Sequence, residues 1–224
     1  MKSIDLWRYE VRRAGWTALL TPPVATAALV LLALLDSSPD TGRGLLAALE
    51  MAIPLAAGVG AASLVGRDPA VELQLSVPTP YRSTLLRRLA VTLGWAALLA
   101  VLVAGVVVAT GWWPPGHGVL GGQLIWLAPT ACLGGLGFLA GAAFRSPAAA
   151  GGLVATYWIV EQLFSGLQDN HVFRLLYLFA TIRGTVPADW TANRLALLTT
   201  ALACGVLGWL LLGRTERLLR GEAE

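Results

Sequence analysis

LAVTLGWAALLAVLVAGVVVAT, residues 89–110, is a run of 22 residues without a charged side chain. A helix rises about 1.5 Å per residue, so this run is long enough to cross a hydrocarbon core about 30 Å thick. Helices and closed barrels are the structures that satisfy their backbone polar groups in lipid, and the run lacks the alternation of a barrel strand. It therefore predicts a transmembrane helix.

Five further apolar runs have the same character. Of the 224 residues, 56% are hydrophobic and 13% are charged, whereas a soluble domain has about 25% charged residues. The segments between the runs are short and polar or rich in Pro and Gly, without a long linker or an internal repeat. We therefore expect one all-α, polytopic transmembrane domain over residues 1–224. Its six predicted spans are residues 14–35, 45–65, 89–110, 119–144, 148–167 and 195–213.

The basic residues indicate the orientation of these spans, because cytoplasmic span ends carry an excess of Lys and Arg. With the N-terminus inside, the outer segments hold Arg43, Arg174, Arg183 and Arg194, and the inner segments hold the other 12 of the 16 basic residues. We expect both termini in the cytoplasm of a cell with a bacterial-type inner membrane. The first run exceeds the core of a cleaved signal peptide, about 7–15 residues, so we expect it to remain as a span. Basic residues at span ends do not form a nucleic-acid-binding face.

Residues 1–16 precede the first span and have an amphipathic pattern. Ile4, Trp7, Val11 and Ala14 recur at helical spacing, with charged residues largely on the other side. This pattern favours a helix in the inner membrane interface, with the Trp7 ring at headgroup depth. The alternative is a solvated charged leader that only enforces the topology.

The segment GRDPAVELQLSVPTPYRS, residues 66–83, lies between the second and third spans on the cytoplasmic side. The pattern predicts a short helix that Asp68 can cap, with Pro69 at its first position and Pro78 ending it. It predicts a second helix that Thr79 caps, beginning with Pro80 and continuing into the third span. A stiff, semi-apolar helix here indicates either a docking surface for a cytoplasmic partner or an interfacial helix that only stabilises the bundle.

The same segment resembles the cytoplasmic segment of permease subunits of type-2 ABC exporters. In that family an Arg-Glu-x-Gly-Thr-x-Glu-like start leads to Leu, Ser or Thr, Pro and a basic residue before the third span. Pro69-Ala70 stands where the family has its Gly-Thr pair. The resemblance extends over the whole chain, through an entry helix, six spans and a polar-aromatic segment between spans five and six. The matching positions are Arg67, Asp68, Glu72, Leu73, Leu75, Ser76, Pro78 and Arg82.

The resemblance implies that residues 66–83 are a coupling helix that binds a separate nucleotide-binding ATPase subunit. It also implies a dimer with a second copy or a related permease in the lipid bilayer. The chain has one lysine, Lys2, with no glycine-rich loop before it, so it carries no phosphate-binding loop of its own. ATP and Mg would therefore bind to the partner, and we expect no cofactor, catalytic residue or metal ligand in this chain. The apolar spans are compatible with a hydrophobic or amphipathic substrate.

Glu161 lies in the outer half of the fifth predicted span, next to Gln162. A charged group at the centre of a membrane helix costs about 2.5–3.5 kcal/mol, so the Glu161 side chain should face protein or a water-filled cavity. We interpret Glu161 as the one buried acid of the spans, without a basic partner there. It is a candidate pathway or gating residue, and the alternatives are a proton relay or a carboxyl hydrogen-bonded near the outer interface.

Residues 168–193, between spans five and six, are too apolar for a free loop and too short to cross the membrane. We expect one or two outer helices that dip into the interface, with Phe173, Tyr177 and Trp190 as anchors. In the exporters that the chain resembles, a re-entrant hairpin closes the pathway at this place, which makes Phe173 and Tyr177 gating candidates. An ordinary interfacial loop is the alternative.

Smaller motifs have plain interpretations. Gly137 and Gly141 have the GxxxG spacing that lets helices approach closely, either within the chain or at a dimer seam. Two cysteines lie in apolar runs, where small core residues are expected rather than a disulfide. Two histidines lie in predicted outer loops without a second ligand at metal spacing, so we expect them to be solvated. These four residues are Cys132, Cys204, His117 and His171.

These features favour the transmembrane subunit of an ATP-driven ABC exporter. The second hypothesis is an ATP-independent carrier that uses Glu161, although such carriers usually show half-repeats and broken helices. An intramembrane enzyme needs several polar groups that converge at membrane depth, and the sequence offers few. A structural or regulatory membrane subunit is the remaining alternative.

Overall fold

The computed structural model describes residues 20, 23–24, 26–28, 31, 41–66, 81–163, 170–184 and 188–213. All regular structure within these ranges is helical. Residues 20, 23–24, 26–28 and 31 are helical, and the first continuous helical stretch runs from Thr41 to Gly66 with a π turn (Ala48–Ala52) inside it. A 3-10 turn (Gly121–Gln123) precedes the helix that begins at Leu124. The α-helices are α1 (Thr41–Ala47), α2 (Ile53–Gly66), α3 (Tyr81–Ala109), α4 (Leu124–Phe144), α5 (Pro147–Leu163), α6 (His171–Leu176) and α7 (Trp190–Leu212).

Four helical stretches of the described chain are long and apolar enough to cross a membrane: Gly42–Val65, Arg82–Ala109, Gly121–Phe144 and Trp190–Leu212. The chain is thus an all-helical protein with the character of a membrane protein. Helix α5 overlaps the predicted fifth span and has 17 residues. Most of the predicted first span and the whole predicted entry helix, residues 1–16, lie outside the described residues, so the prediction of six spans stays a prediction.

The centre of the bundle is the contact between α2 and α4, where glycines let the backbones approach closely. A Cβ atom on Gly137 would overlap the carbonyl oxygen of Gly58, and one on Gly141 would lie 2.9 Å from the carbonyl oxygen of Ala62. On the other side of α4, a Cβ atom on Gly135 would lie 2.7 Å from the Ala201 carbonyl oxygen of α7. The GxxxG pair therefore serves packing within the chain, the first of its two predicted roles.

The end of α2, the start of α3 and the ends of α4 and α7 lie together at one end of the bundle. Their apolar side chains form a cluster: Leu64, Val65, Leu85, Phe138, Ala142 and Leu212. At this end the guanidinium of Arg82 stacks on the ring of Trp209, 4.8 Å from its centroid. We call this the 66/81 end, because the segment 67–80 leaves and re-enters the bundle here.

The tight turn from α4 to α5 also lies at the 66/81 end. Helix α4 stops because Arg145 adopts a left-handed conformation with φ 54°, and its N–H donates to the Gly141 carbonyl. The Ser146 hydroxyl then accepts the N–H of Ala149, and Pro147 occupies the first helical position. A serine cap followed by proline is a strong start signal, so a new helix begins two residues after α4 ends.

The outer faces of α3 and α7 remain apolar. On α3 the exposed side chains include Leu98, Val101 and Leu102, and on α7 they include Leu202 and Leu210. Apolar side chains that point away from the bundle suit contact with lipid tails. The buried residues of these helices lie on their opposite faces, against α2 and α4.

Candidate functional site

The end opposite the 66/81 end is filled by residues 177–184, which follow α6 and which we call the strap. Its first four residues, Tyr177 to Ala180, are buried against α4, α5 and α7. The prediction that Tyr177 and Trp190 anchor this region in the membrane interface is wrong: they are 3% and 9% exposed inside the protein. Phe173 does stay exposed. The first half of the strap is therefore part of the protein core.

A buried ion pair fastens the strap. The carboxylate of Glu50 pairs with the guanidinium of Arg194, and both side chains have no exposed surface. The two carboxylate oxygens also accept the backbone N–H groups of Thr181 at 2.9 Å and of Ile182 at 2.7 Å. One side chain thereby satisfies two strap N–H groups that have no helix or strand partner.

The π turn explains how Glu50 reaches the strap. Glu50 lies inside Ala48–Ala52, between α1 and α2. A π turn holds an extra residue and changes the direction in which the neighbouring side chains point. The carboxylate of Glu50 can be buried here because Arg194 and the strap N–H groups replace its hydration.

Arg194 and its neighbours on α7 bind other strap atoms. Arg194 donates to the Leu178 carbonyl at 3.1 Å and to the Thr181 hydroxyl at 2.8 Å, and Trp190 donates to the same hydroxyl. The amide nitrogen of Asn193 lies within 3.0 Å of three carbonyl oxygens at the end of α6. The first turn of α7 therefore fixes both α6 and the strap.

A second carboxylate, Glu161 of α5, approaches the strap from another side. It is 8% exposed, and it contacts the Leu178 backbone N–H and the Tyr157 hydroxyl. Its Oε2 atom is buried without a hydrogen-bond partner. The interpretation of Glu161 as the one buried acid without a base in the spans is wrong, because Glu50 and Arg194 are buried more completely. Glu161 is the buried acid that lacks a basic partner in the described bundle.

A third attachment lies at the surface. The Arg183 guanidinium donates to the side-chain oxygen of Gln162 at 2.7 Å and to its backbone carbonyl at 3.2 Å. Gln162 in turn donates to the sulfur of Met51 at 3.3 Å. Gln162 thus links α5 to the strap and to the π turn, rather than serving only as a neighbour of Glu161.

In comparisons with models of protein families, with curated proteins and with solved structures, no match was found. The proposed function therefore rests on the geometry of the site.

Of the predicted site residues, Glu161, Gln162 and Tyr177 come together around the strap, while Phe173 is set apart on the exposed side of α6. Arg82 lies far from them at the 66/81 end, against Trp209. The other predicted partner-binding residues lie outside the described residues: Arg67, Asp68, Glu72, Leu73, Leu75, Ser76 and Pro78.

The histidines and cysteines behave differently from one another. His117 is not a freely solvated loop residue, because its ring stacks on Trp190 at 4.3 Å and its carbonyl accepts from Trp113. His171 is exposed at the start of α6. Cys132 is buried and Cys204 is half-buried, and neither forms a disulfide. Among the described residues, no three His, Cys, Asp or Glu side chains are grouped to hold a metal ion.

Glu50 and Arg194 are the site residues that the sequence interpretation missed. Both carry a signal: Glu50 lies inside the second predicted span, and Arg194 immediately precedes the sixth, at ends that the topology places on the same side. An acid and a base at one end of two apolar runs suggest an ion pair. Hydropathy alone assigned Arg194 to a loop.

Proposed function

We propose that this chain is the membrane-spanning subunit of an ATP-driven exporter of the type-2 ABC kind. A separate ATPase subunit binds residues 66–83 from the cytoplasm and supplies the energy. The substrate is hydrophobic or amphipathic and crosses the cytoplasmic membrane. The subunit acts as a dimer, with a second copy or a related permease.

The observation that supports this proposal most directly is the convergence of helices at the 66/81 end. Helices α2 and α3, which flank the segment 67–80, meet α4 and α7 there through one apolar cluster. A displacement of that segment would transmit strain to all four helices at once, because protein interiors are close-packed. The exposed Arg82 and Arg87 and the half-buried Arg145 at this end suit a cytoplasmic face.

The connection from the 66/81 end to the strap supports the same proposal. Helix α2 leads through the π turn directly to Glu50, which binds the strap at the opposite end. Movement of α2 along its axis would therefore reach both ends of the bundle. Alternating access requires such a link between an energised end and a closure at the far end.

A gradient-driven carrier is the second candidate, and Glu161 is the observation that favours it. A buried carboxyl with an unpartnered oxygen, Oε2, and no basic partner is the type of group that binds and releases a proton. That function would need no ATPase subunit. It would depend on Glu161 and not on residues 66–83.

Co-purification in mild detergent separates the two functions. Wild type, a Glu72→Arg/Leu75→Asp variant and a control Leu120→Asp variant are compared for a bound ATPase subunit and its ATP turnover. Leu120 is 89% exposed near the opposite end of the bundle, so it tests for a general effect of an added acid. We expect the ATPase with wild type and with the control, and its loss from the folded double variant.

If no ATPase accompanies the wild type, the exporter proposal fails. The carrier is then tested in proteoliposomes with an imposed pH gradient. Glu161→Gln abolishes gradient-dependent uptake if Glu161 is the proton site. If uptake depends on neither the pH gradient nor Glu161, the carrier proposal fails as well.

A further inference from the structure

We propose that the Glu50–Arg194 pair is the release point of the strap. With the pair intact, the strap closes the end of the bundle opposite the 66/81 end. When the Glu50 carboxylate withdraws, residues 177–184 leave their site as one cooperative unit. The statement that movement of α2 withdraws Glu50 rests on the proposed function. The attachment of the strap by the Glu50–Arg194 pair does not.

The burial of the pair makes it the dominant attachment. Glu50 and Arg194 are both fully buried, so removal of one leaves the other as an uncompensated charge in a low-dielectric site. The Arg183–Gln162 contact is exposed, and exposed polar contacts contribute little because water competes for both partners. The strap is therefore expected to depend on the first attachment and not on the second.

The attachments of the strap are also linked to one another. The Thr181 hydroxyl accepts from both Arg194 and Trp190, and the Thr181 N–H donates to Glu50. When Glu50 withdraws, Arg194 loses its counter-charge, and the bonds that it donates to the strap lose their geometric support. Loss of one group thus weakens several bonds together, which is the condition for cooperative opening.

The π turn makes withdrawal of Glu50 possible without unfolding α2. A π turn is less stable than α-helix, is often found at functional sites, and contains one residue more than the α-helical turn that it replaces. If α2 shifts so that Ala48–Ala52 returns to α-helical geometry, the Glu50 side chain rotates about the helix axis by roughly 100°. Such a rotation removes the carboxylate from Thr181 and Ile182.

Two other charged groups near the strap do not replace Glu50. Glu161 contacts the Leu178 N–H, whereas the N–H groups of Thr181 and Ile182 donate to Glu50. Asp189 is paired with Arg174 at 2.5 Å in a half-exposed position on α6 and the turn before α7. The release point is therefore one ion pair, and its loss should be detectable in the backbone amide exchange of the strap.

The test is backbone amide hydrogen exchange of the full chain in mild detergent, resolved by mass spectrometry, without ATPase or substrate. In Glu50→Gln, exchange of peptides that cover residues 178–183 should rise on the order of a hundredfold or more. Amides of α2 and α4 should still be protected at labelling times at which the strap peptides have exchanged completely. The matched control, Gln162→Leu, removes the side-chain part of the exposed attachment and leaves the bond from Arg183 to the backbone carbonyl. It should change amide exchange of the strap by less than about fivefold.

A second variant covers the case in which Glu50→Gln does not fold. Thr181→Val keeps the backbone N–H that donates to Glu50 and removes the hydroxyl oxygen that accepts from Arg194 and Trp190. Amide exchange of the strap should therefore rise about tenfold. Unchanged strap exchange in either folded variant overturns the proposal, as does an equal rise in Gln162→Leu. Failure of the exporter proposal shows instead as absence of an ATPase in co-purification and leaves these exchange rates interpretable.

Discussion

The Glu50–Arg194 pair makes a quantitative prediction about stability. Glu50→Gln and Arg194→Met each leave one fully buried charge without its partner, and such changes cost about 3–5 kcal/mol. If the two effects were independent, the double variant would lose about 6–10 kcal/mol.

The double variant should lose much less than this sum. It contains no buried charge at this site, and the Thr181 hydroxyl keeps its bond from Trp190 after the Arg194 donor is lost. The groups left without a partner are one strap N–H and the Leu178 carbonyl. Each costs about 1–3 kcal/mol, so we expect a total of about 2–6 kcal/mol. The coupling free energy between the two positions is then about 3 kcal/mol or more, well above the roughly 0.5 kcal/mol that independent sites show.

The assay is unfolding in mixed detergent micelles, followed through tryptophan fluorescence. Trp158 and Trp190 contact the strap, so their emission reports its environment. The control cycle, Gln162→Leu with Arg183→Met, removes an exposed contact and should give a coupling below about 1 kcal/mol. Additive losses at Glu50 and Arg194, or equal coupling in both cycles, would refute the argument that burial makes this pair dominant.

Three further predictions concern packing and capping. Gly137→Ala should lower the free energy of unfolding by about 1–3 kcal/mol, because its Cβ meets the Gly58 carbonyl. Gly105→Ala has open space around it and should be neutral or slightly stabilising. The thermal midpoints of the two variants check this. Asn193→Leu should cost about 2–3 kcal/mol by freeing buried carbonyls at the end of α6, and it should speed amide exchange of the α6 peptide. Arg82→Gln should cost less than about 1 kcal/mol for the lost Trp209 stacking, so a larger loss in unfolding experiments would contradict an exposed cation–π contact.

The helix ends show where sequence reasoning succeeds. A helix was predicted to start at Pro80 and to continue through the third span, and α3 runs from Tyr81 to Ala109. The predicted end of the fourth span, Phe144, is the end of α4. Proline acts through local backbone geometry, and the end of an apolar run can be seen in the sequence itself, so neither prediction requires knowledge of the tertiary structure.

Helix α7 shows where the same reasoning fails. The span was predicted from residue 195, but the helix begins at Trp190 and its first turn holds Asn193 and Arg194. Hydropathy treats these polar side chains as solvated, whereas their partners are carbonyl groups of α6 and the strap, and Glu50. A partner 144 positions away in the sequence is fixed by tertiary packing, and a single sequence does not reveal it.

The same limit applies to the strap. Its aromatic residues suggested a membrane interface, because interfaces and protein cores both favour Tyr and Trp. The difference lies in the polar partners of each ring, such as the Thr181 hydroxyl for Trp190. Those partners are visible in the structure and not in the composition of the segment.

The length of α3 has a mechanical consequence. Its apolar part, Leu89 to Ala109, is about 31 Å long, close to the hydrocarbon thickness, and its first eight residues, Tyr81 to Arg88, extend about 12 Å further. A rigid rod that pivots at headgroup level has a short arm of about 12 Å and a long arm of about 31 Å. A sideways step of about 1 Å where the segment 67–80 joins α3 thus becomes about 2.5 Å at the far membrane surface. A rigid α3 that pivots in this way would act as a lever that magnifies small movements.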